Sequence, residues 1–393
     1  MYCYAWDLAE AGVETVADEL AGRHINTITL AGAYHAGKFL RPHGLSGKVV
    51  FPEDGTAYFR TRQELYGTIR PDENSLMGNR DILQECCELT DMDVNAWMVL
   101  MHNSRLGAKH TDCCVRNAFG DPYIYNLCPS SPAAREYAVT LCADVTDRYP
   151  VTGVSLETPG FLPYEHGYHH EFALMRQNVW LNNMLGLCFC PDCVAGAETA
   201  GIDASGLKAR VADAIGTYLD ADVDYADDMA AAYWTAEIVT GPDMADFLKW
   251  RCGVVESLIG EIRDAVRSDA TVSVIPSVAR PTSGAWYEGS DLAGLAAVAD
   301  KLEVCFYEPG PDRIRSDLHD VSGRLGGTGQ LRAILRPGYP DLPDAGSVMA
   351  AVDTLIEGGV EDISFYNYGH LRRPSLDWMS DALAAGDYSE LPV

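Results

Sequence analysis

The chain has 393 residues, of which 47% are hydrophobic and 22% charged, a composition that supplies a large core and excludes wholesale disorder. Its 57 acidic residues outnumber 29 basic ones and leave a formal charge of −28, which argues against nucleic acid or an anionic membrane surface as a partner, because phosphate binding needs clustered Lys and Arg. No stretch reaches the ~20 apolar residues of a membrane span, and the opening MYCYAWDLAE lacks a basic flank and an apolar signal core, so a cytoplasmic location is expected.

Short apolar runs of the kind that form buried parallel strands recur along the chain. They begin with MYCYAWDL and continue at 25–32, 94–103, 151–157, 271–277, 301–308, 331–338 and 361–369. Between them lie segments with apolar residues at three- and four-residue spacing, among them 13–23, 131–149, 243–268 and 347–359. With a return helix near 375–384, these units predict an α/β fold, one (β/α)8 TIM barrel spanning 1–393. A doubly wound open sheet is the weaker alternative, since no Gly-rich phosphate loop follows the first strand. Long insertions follow strand two (about 33–90), strand three (103–130) and strand four (158–242), on the face where barrel enzymes carry their active sites. The last is expected to form a lid.

The carboxyl ends of the proposed strands carry Asp7, Tyr34 and His35, His102 and Asn103, Glu157, Ser277, Tyr307 and Glu308, Arg336, and Tyr366 with Asn367. Such a polar, aromatic rim suits a sugar, whose faces stack on rings while its hydroxyls find His, Asn and Arg. Glycoside hydrolysis needs one carboxylic acid to protonate the leaving oxygen and a second carboxylate to attack or to activate water. Glu157 and Glu308 are the expected pair, each closing an apolar run before a proline-containing turn, ETPG and EPG. Glu157 is then the nucleophile or base and Glu308 the acid, an order similar to that of barrel glycosidases resembling α-galactosidases, which use aspartates.

Two further features bear on chemistry. The insertion contains YEHGYHHE, whose His166, His169, His170 and Glu171 offer imidazole and carboxylate ligands suited to Zn, Mn or Fe. With His102 and Glu157 added, that cluster describes an alternative, a metal-dependent sugar isomerase, epimerase or lyase; a non-catalytic carbohydrate-binding barrel is a third reading. Trp286, in Trp286-Tyr287-Glu288 after strand five, is either a sugar platform or core packing.

Three of the 12 cysteines fall within CFCPDC at 188–193. C-x-C-x2-C offers three thiolates, one short of a closed tetrahedral zinc shell. The segment LCPSSPAAREYAVTLCADVTDRY (127–149), followed by VTGVSLE and CFCPDC, resembles the part of family 42 glycoside hydrolases, the β-galactosidases, that runs from a cysteine before helix three to a Cys-x-Cys-Pro-x-Cys cluster. That resemblance implies a structural zinc on Cys128, Cys188, Cys190 and Cys193. The chain departs from the family elsewhere: strand four ends Leu156-Glu157-Thr158 where the family has Asn-Glu, and strand seven ends at Arg336 to Pro340 without a glutamate. The expected function is a glycoside hydrolase-like activity on a carbohydrate; the sequence leaves open whether chains associate as homo-oligomers.

Overall fold

The computed structural model describes residues 1–89, 91–166, 168 and 170–385. Eight parallel strands form the barrel: β1 (Tyr2–Cys3), β2 (Thr27–Tyr34), β3 (Asp93–Val99), β4 (Gly153–Glu157), β5 (Thr271–Val274), β6 (Lys301–Cys305), β7 (Leu331–Leu335) and β8 (Asp362–Phe365). They pair in chain order from β1 to β8. The circle is closed where Tyr368 N–H, just past β8, donates to the Tyr2 carbonyl at 3.0 Å. The outer helices are α1 (Val13–Ala21), α2 (Ile82–Leu89), α3 (Pro132–Arg148), α4 (Met244–Ala265), α5 (Leu292–Val298), α6 (Pro311–Leu325), α7 (Ala345–Glu357) and α8 (Arg373–Ala385). The chain is therefore a (β/α)8 barrel, as the alternation of apolar runs and amphipathic segments predicts.

Local chemistry explains the element boundaries. Proline stands in the first turn of α3 and of α6, where its missing N–H costs nothing. Asp344 and Ser347 form a reciprocal capping box at the start of α7. Covered on both faces, the strands bury Leu30, Ala96, Met98, Val154, Val272 and Leu302 completely. The insertion after β4 builds a second hydrophobic cluster from its own helices, with Trp180, Leu207, Ile215 and Trp234 packed against Phe247 of α4. No helix among the described residues is long and apolar enough to cross a membrane.

The first element differs from expectation. Only Tyr2–Cys3 of MYCYAWDL is strand; Ala5–Ala11 is helix, because AWDLAEA consists of helix formers and Tyr4 keeps the extended backbone of a cap. Asp7 thus sits on a helix, where its carboxylate takes Arg41 Nε at 2.6 Å. Burial, against the Arg41 charge, raises its pKa to about 6.

Beneath the barrel mouth lies a buried polar network. Glu303 on β6 accepts from Tyr2 OH, from Ser155 Oγ at 3.1 Å and from Arg332 Nη1 at 2.8 Å, while Arg332 Nε reaches Asp362 at 2.8 Å. Its donors come from three other strands, so it ties the sheet together directly under the residues described next.

Candidate active site

A cavity of about 250 Å³ opens at the carboxyl ends of the strands. Tyr2 and Trp97 reach it from β1 and β3, and Glu157 from the last position of β4. Tyr307, Arg336 and Tyr366, just beyond β6, β7 and β8, complete its wall with Arg280 from the loop after β5. Glu157 stands in register with Val99 on β3, and its carbonyl accepts from Leu100 N–H at 3.0 Å, so the sheet holds the backbone that carries it on the β3 side.

The surroundings of Glu157 set its proton affinity. Burial raises its pKa from 4.5 to about 7, against the Trp97 indole N–H, which donates to its carboxylate at 2.6 Å and favours the charged form. A carboxyl whose pKa is raised into the neutral range can hold its proton near pH 7, the condition a general acid needs.

A second buried carboxyl, that of Glu288, lies near enough to feel the charge of Glu157, although like Glu308 it is not among the residues that line the cavity. Glu288 closes a short helical turn, Thr282–Glu288, after β5. Burial raises its pKa to about 7, the Ser277 hydroxyl bond and the Arg251 charge oppose, and the charge of Glu157 pushes it up further. The two loops are pinned together: Phe161 N–H donates to the Glu288 carbonyl at 2.8 Å, and a Cβ on Gly160 would lie only 2.1 Å from that oxygen. Only glycine permits that approach.

Glu308 takes no part in this arrangement. It is buried at the entry to α6 and accepts from Arg313 Nε at 2.6 Å, and it is not among the residues that line the cavity. The EPG turn led the sequence reading to it, yet the turn aims the carboxylate at its own helix. Glu288 was passed over because it stands well beyond the end of its strand; the one signal was its place beside Trp286-Tyr287.

The remaining predicted residues divide clearly. Tyr307 and Arg336 line the cavity, and the Arg336 guanidinium lies 4.1 Å above the Tyr307 ring. Tyr34 shares hydroxyl contacts with Tyr4 at 2.9 Å and Tyr366 at 3.4 Å. Asn103 caps a helix, accepting from Leu106 N–H at 2.9 Å, and Asn367 is fully buried and accepts from Gly369 N–H at 3.0 Å. Trp286 lines a separate groove with Ile238, Leu248 and Cys252, so it packs on the insertion and is no sugar platform at this mouth.

A second chamber, of about 540 Å³, adjoins Tyr34. It is lined by His35, His102, His166 and His170. The His35 and His102 rings stack at 4.3 Å and 21°, and His166 meets His102 edge-on at 5.0 Å. Near-parallel rings keep their nitrogen lone pairs from converging on one point. Burial first, then the neighbouring imidazoles, pulls the His102 pKa down to about 2. Of the expected His166 to Glu171 ligands, His169 lies outside the described residues, and Glu171 accepts from Tyr168 N–H at 2.9 Å.

The four cysteines do converge. Cys128 Sγ lies 3.8, 3.6 and 3.5 Å from those of Cys188, Cys190 and Cys193, and all four are buried within 4.8 Å of one another. Four sulfurs about 2.3 Å from a central zinc in a tetrahedron stand nearly 4 Å apart, so the donor set fits that metal. Among the described residues no other group of three or more His, Cys, Asp or Glu is as compact. Backbone N–H groups of Arg116 and Cys193 point at Cys188 and Cys190 at 3.4 Å, bonds that favour thiolate over thiol.

No protein-family model matches the sequence, and no curated protein sequence is similar to it. Among solved structures the chain is similar to the glycoside hydrolase domain of PgaB (BpsB) from Bordetella bronchiseptica, with 14% identity, a TM-score of 0.57, and coverage of 100% of this chain and 99% of that one. It is also similar to alpha-L-fucosidase isoenzyme 2 from Paenibacillus thiaminolyticus, with 12% identity and a TM-score of 0.51 over 95% of this chain; the match spans 46% of that chain. The likeness is one of fold, a (β/α)8 barrel shared with these two proteins.

Proposed function

We propose that the chain is a glycosidase acting on a carbohydrate substrate, with Glu157 as general acid and Glu288, in place of Glu308, as the second carboxylate. The observation that carries this reading is Glu157 itself: a carboxyl at the end of β4, in the cavity, with its pKa raised to about 7. Glu288 shares that affinity and feels the charge of Glu157, so near neutrality the pair tends to hold one proton between them. One member is then an acid and the other a carboxylate, which is what the reaction requires. Glu157 gives its proton to the glycosidic oxygen as the bond from that oxygen to the anomeric carbon breaks; Glu288 attacks that carbon or takes a proton from the water that does. The hydroxyls of Tyr307 and Tyr366 and the Arg336 guanidinium orient the ring.

The cysteine cluster is proposed to hold one structural zinc, tying the insertion after β4 to the loop before α3. Its convergence and the resemblance to family 42 enzymes over Cys128 to Cys193 support this. The metal serves the fold and takes no part in bond cleavage.

The test is turnover of a panel of aryl glycosides and oligosaccharides by the wild-type chain and by Glu157→Gln and Glu288→Gln. Removing a general acid costs about 10²- to 10⁴-fold in rate. Full activity in Glu157→Gln, or no hydrolysis of any glycoside by the wild type, overturns the reading.

A further inference from the structure

The charge around the cavity is out of keeping with the rest of the molecule. In a chain with 57 acidic and 29 basic residues, the cavity wall carries two arginines, Arg280 and Arg336. They share a single carboxylate: Asp341, whose side chain is 1% exposed, accepts from Arg336 Nε at 2.5 Å and from Arg280 Nη1 at 3.2 Å. Arg280 also donates to the Tyr307 carbonyl, and the Arg336 guanidinium lies over the Tyr307 ring. These contacts fix both guanidinium planes without using up their donors. Among the described residues, neither Nη of Arg336 has a protein hydrogen-bond partner, and both side chains remain partly open, at 31% and 39% exposure.

Building on the proposed glycosidase reading, we propose that the substrate is an acidic sugar whose oxyanion, a uronate carboxylate or a sulfate ester, is held by Arg336 and Arg280. Although the Glu157 and Glu288 pair carries about one negative charge, two guanidiniums against one aspartate leave the wall at Arg280 and Arg336 locally positive. A hydroxyl-only sugar would leave that charge unmatched, whereas a forked guanidinium matches an oxyanion with two parallel hydrogen bonds. In the adjoining chamber, burial lowers the proton affinity of His35, His102 and His166, so these three imidazoles favour the neutral form. Arg336 is therefore a specificity residue, and Asp341 positions it.

The experiment is calorimetric titration of the full wild-type chain with glucuronate, galacturonate, glucose 6-sulfate, glucose and galactose, none of which has a glycosidic bond to cleave. The expected result is binding of an acidic sugar at least about 10-fold tighter than its neutral parent, with that preference lost in Arg336→Gln. Preference for the sulfate over both uronates assigns the oxyanion as an ester; the reverse assigns a carboxylate. Should Arg336→Gln not fold, Arg280→Gln, whose guanidinium is more exposed, is read instead. Equal affinity for acidic and neutral sugars, including no measurable binding of either, overturns the inference, as does a preference that survives both arginine substitutions. Wild-type turnover separates the two proposals. Hydrolysis of neutral glycosides with no acidic preference sinks this one alone, and selective uronate binding with no hydrolysis sinks the glycosidase reading alone.

Discussion

Glu157 shows how much one hydrogen bond decides. Its pKa of about 7 reflects burial that favours the neutral form and the Trp97 indole that favours the charged one. Replacing Trp97 with Phe removes the opposing donor, so the pKa rises further, and the alkaline limb of the activity profile is expected to move up by about one pH unit. A limb that stays in place would show that the indole does not tune the acid. The same shift bears on stability. In the unfolded chain the carboxyl titrates near 4.5 and in the folded chain near 7. Between those values the native state keeps a proton that the unfolded state has lost, so stability falls as pH rises through this window, by about 3 kcal/mol once above it. Glu157→Gln has no such charge to bury. It is expected to unfold at a higher denaturant concentration than wild type at about pH 8 and at nearly the same concentration at about pH 4.

At the scale of elements, the site depends on two loops held in contact. The strand-four loop lies against the turn after β5 through the Phe161 to Glu288 backbone bond and the bare Cα of Gly160. Gly160→Ala puts a methyl group 2.1 Å from the Glu288 carbonyl oxygen, so the loops must part. A loss of about 1–3 kcal/mol in stability is expected, together with a fall in kcat as the two carboxyls separate; an unchanged kcat would show that their spacing is not held here. The eight strand and helix units were legible in the sequence because each needs only its own apolar spacing and caps. The first strand was overextended because YAWDL is apolar enough for a strand, while the helix-forming AWDLAEA that follows Tyr4 takes the chain the other way. Glu157 was legible as the last residue of a strand. Its partner was not, since EPG at Glu308 carries the same local signal and turns its carboxylate onto Arg313.

At the scale of the whole molecule, the insertion after β4 has its own hydrophobic cluster and is joined to the loop before α3 by the four cysteines. Elemental analysis of the purified chain is expected to find one zinc per molecule. Chelation, or Cys128→Ser, is expected to raise hydrogen exchange in the insertion helices at 179–240 well before the barrel strands exchange. Uniform exchange across strands and insertion would mean that the cluster is not a local staple. The alternation of buried strands and amphipathic helices, and the spacing within CFCPDC, were determined by the sequence by itself, because each is a pattern over a few neighbouring residues. The tertiary structure alone decided that Glu288 feels the charge of Glu157, that His35 stacks on His102 with His166 edge-on to it, and that Arg280 and Arg336 share Asp341. Each of these joins residues from different strand ends, and their environments are set by closure of the barrel, which no local pattern contains.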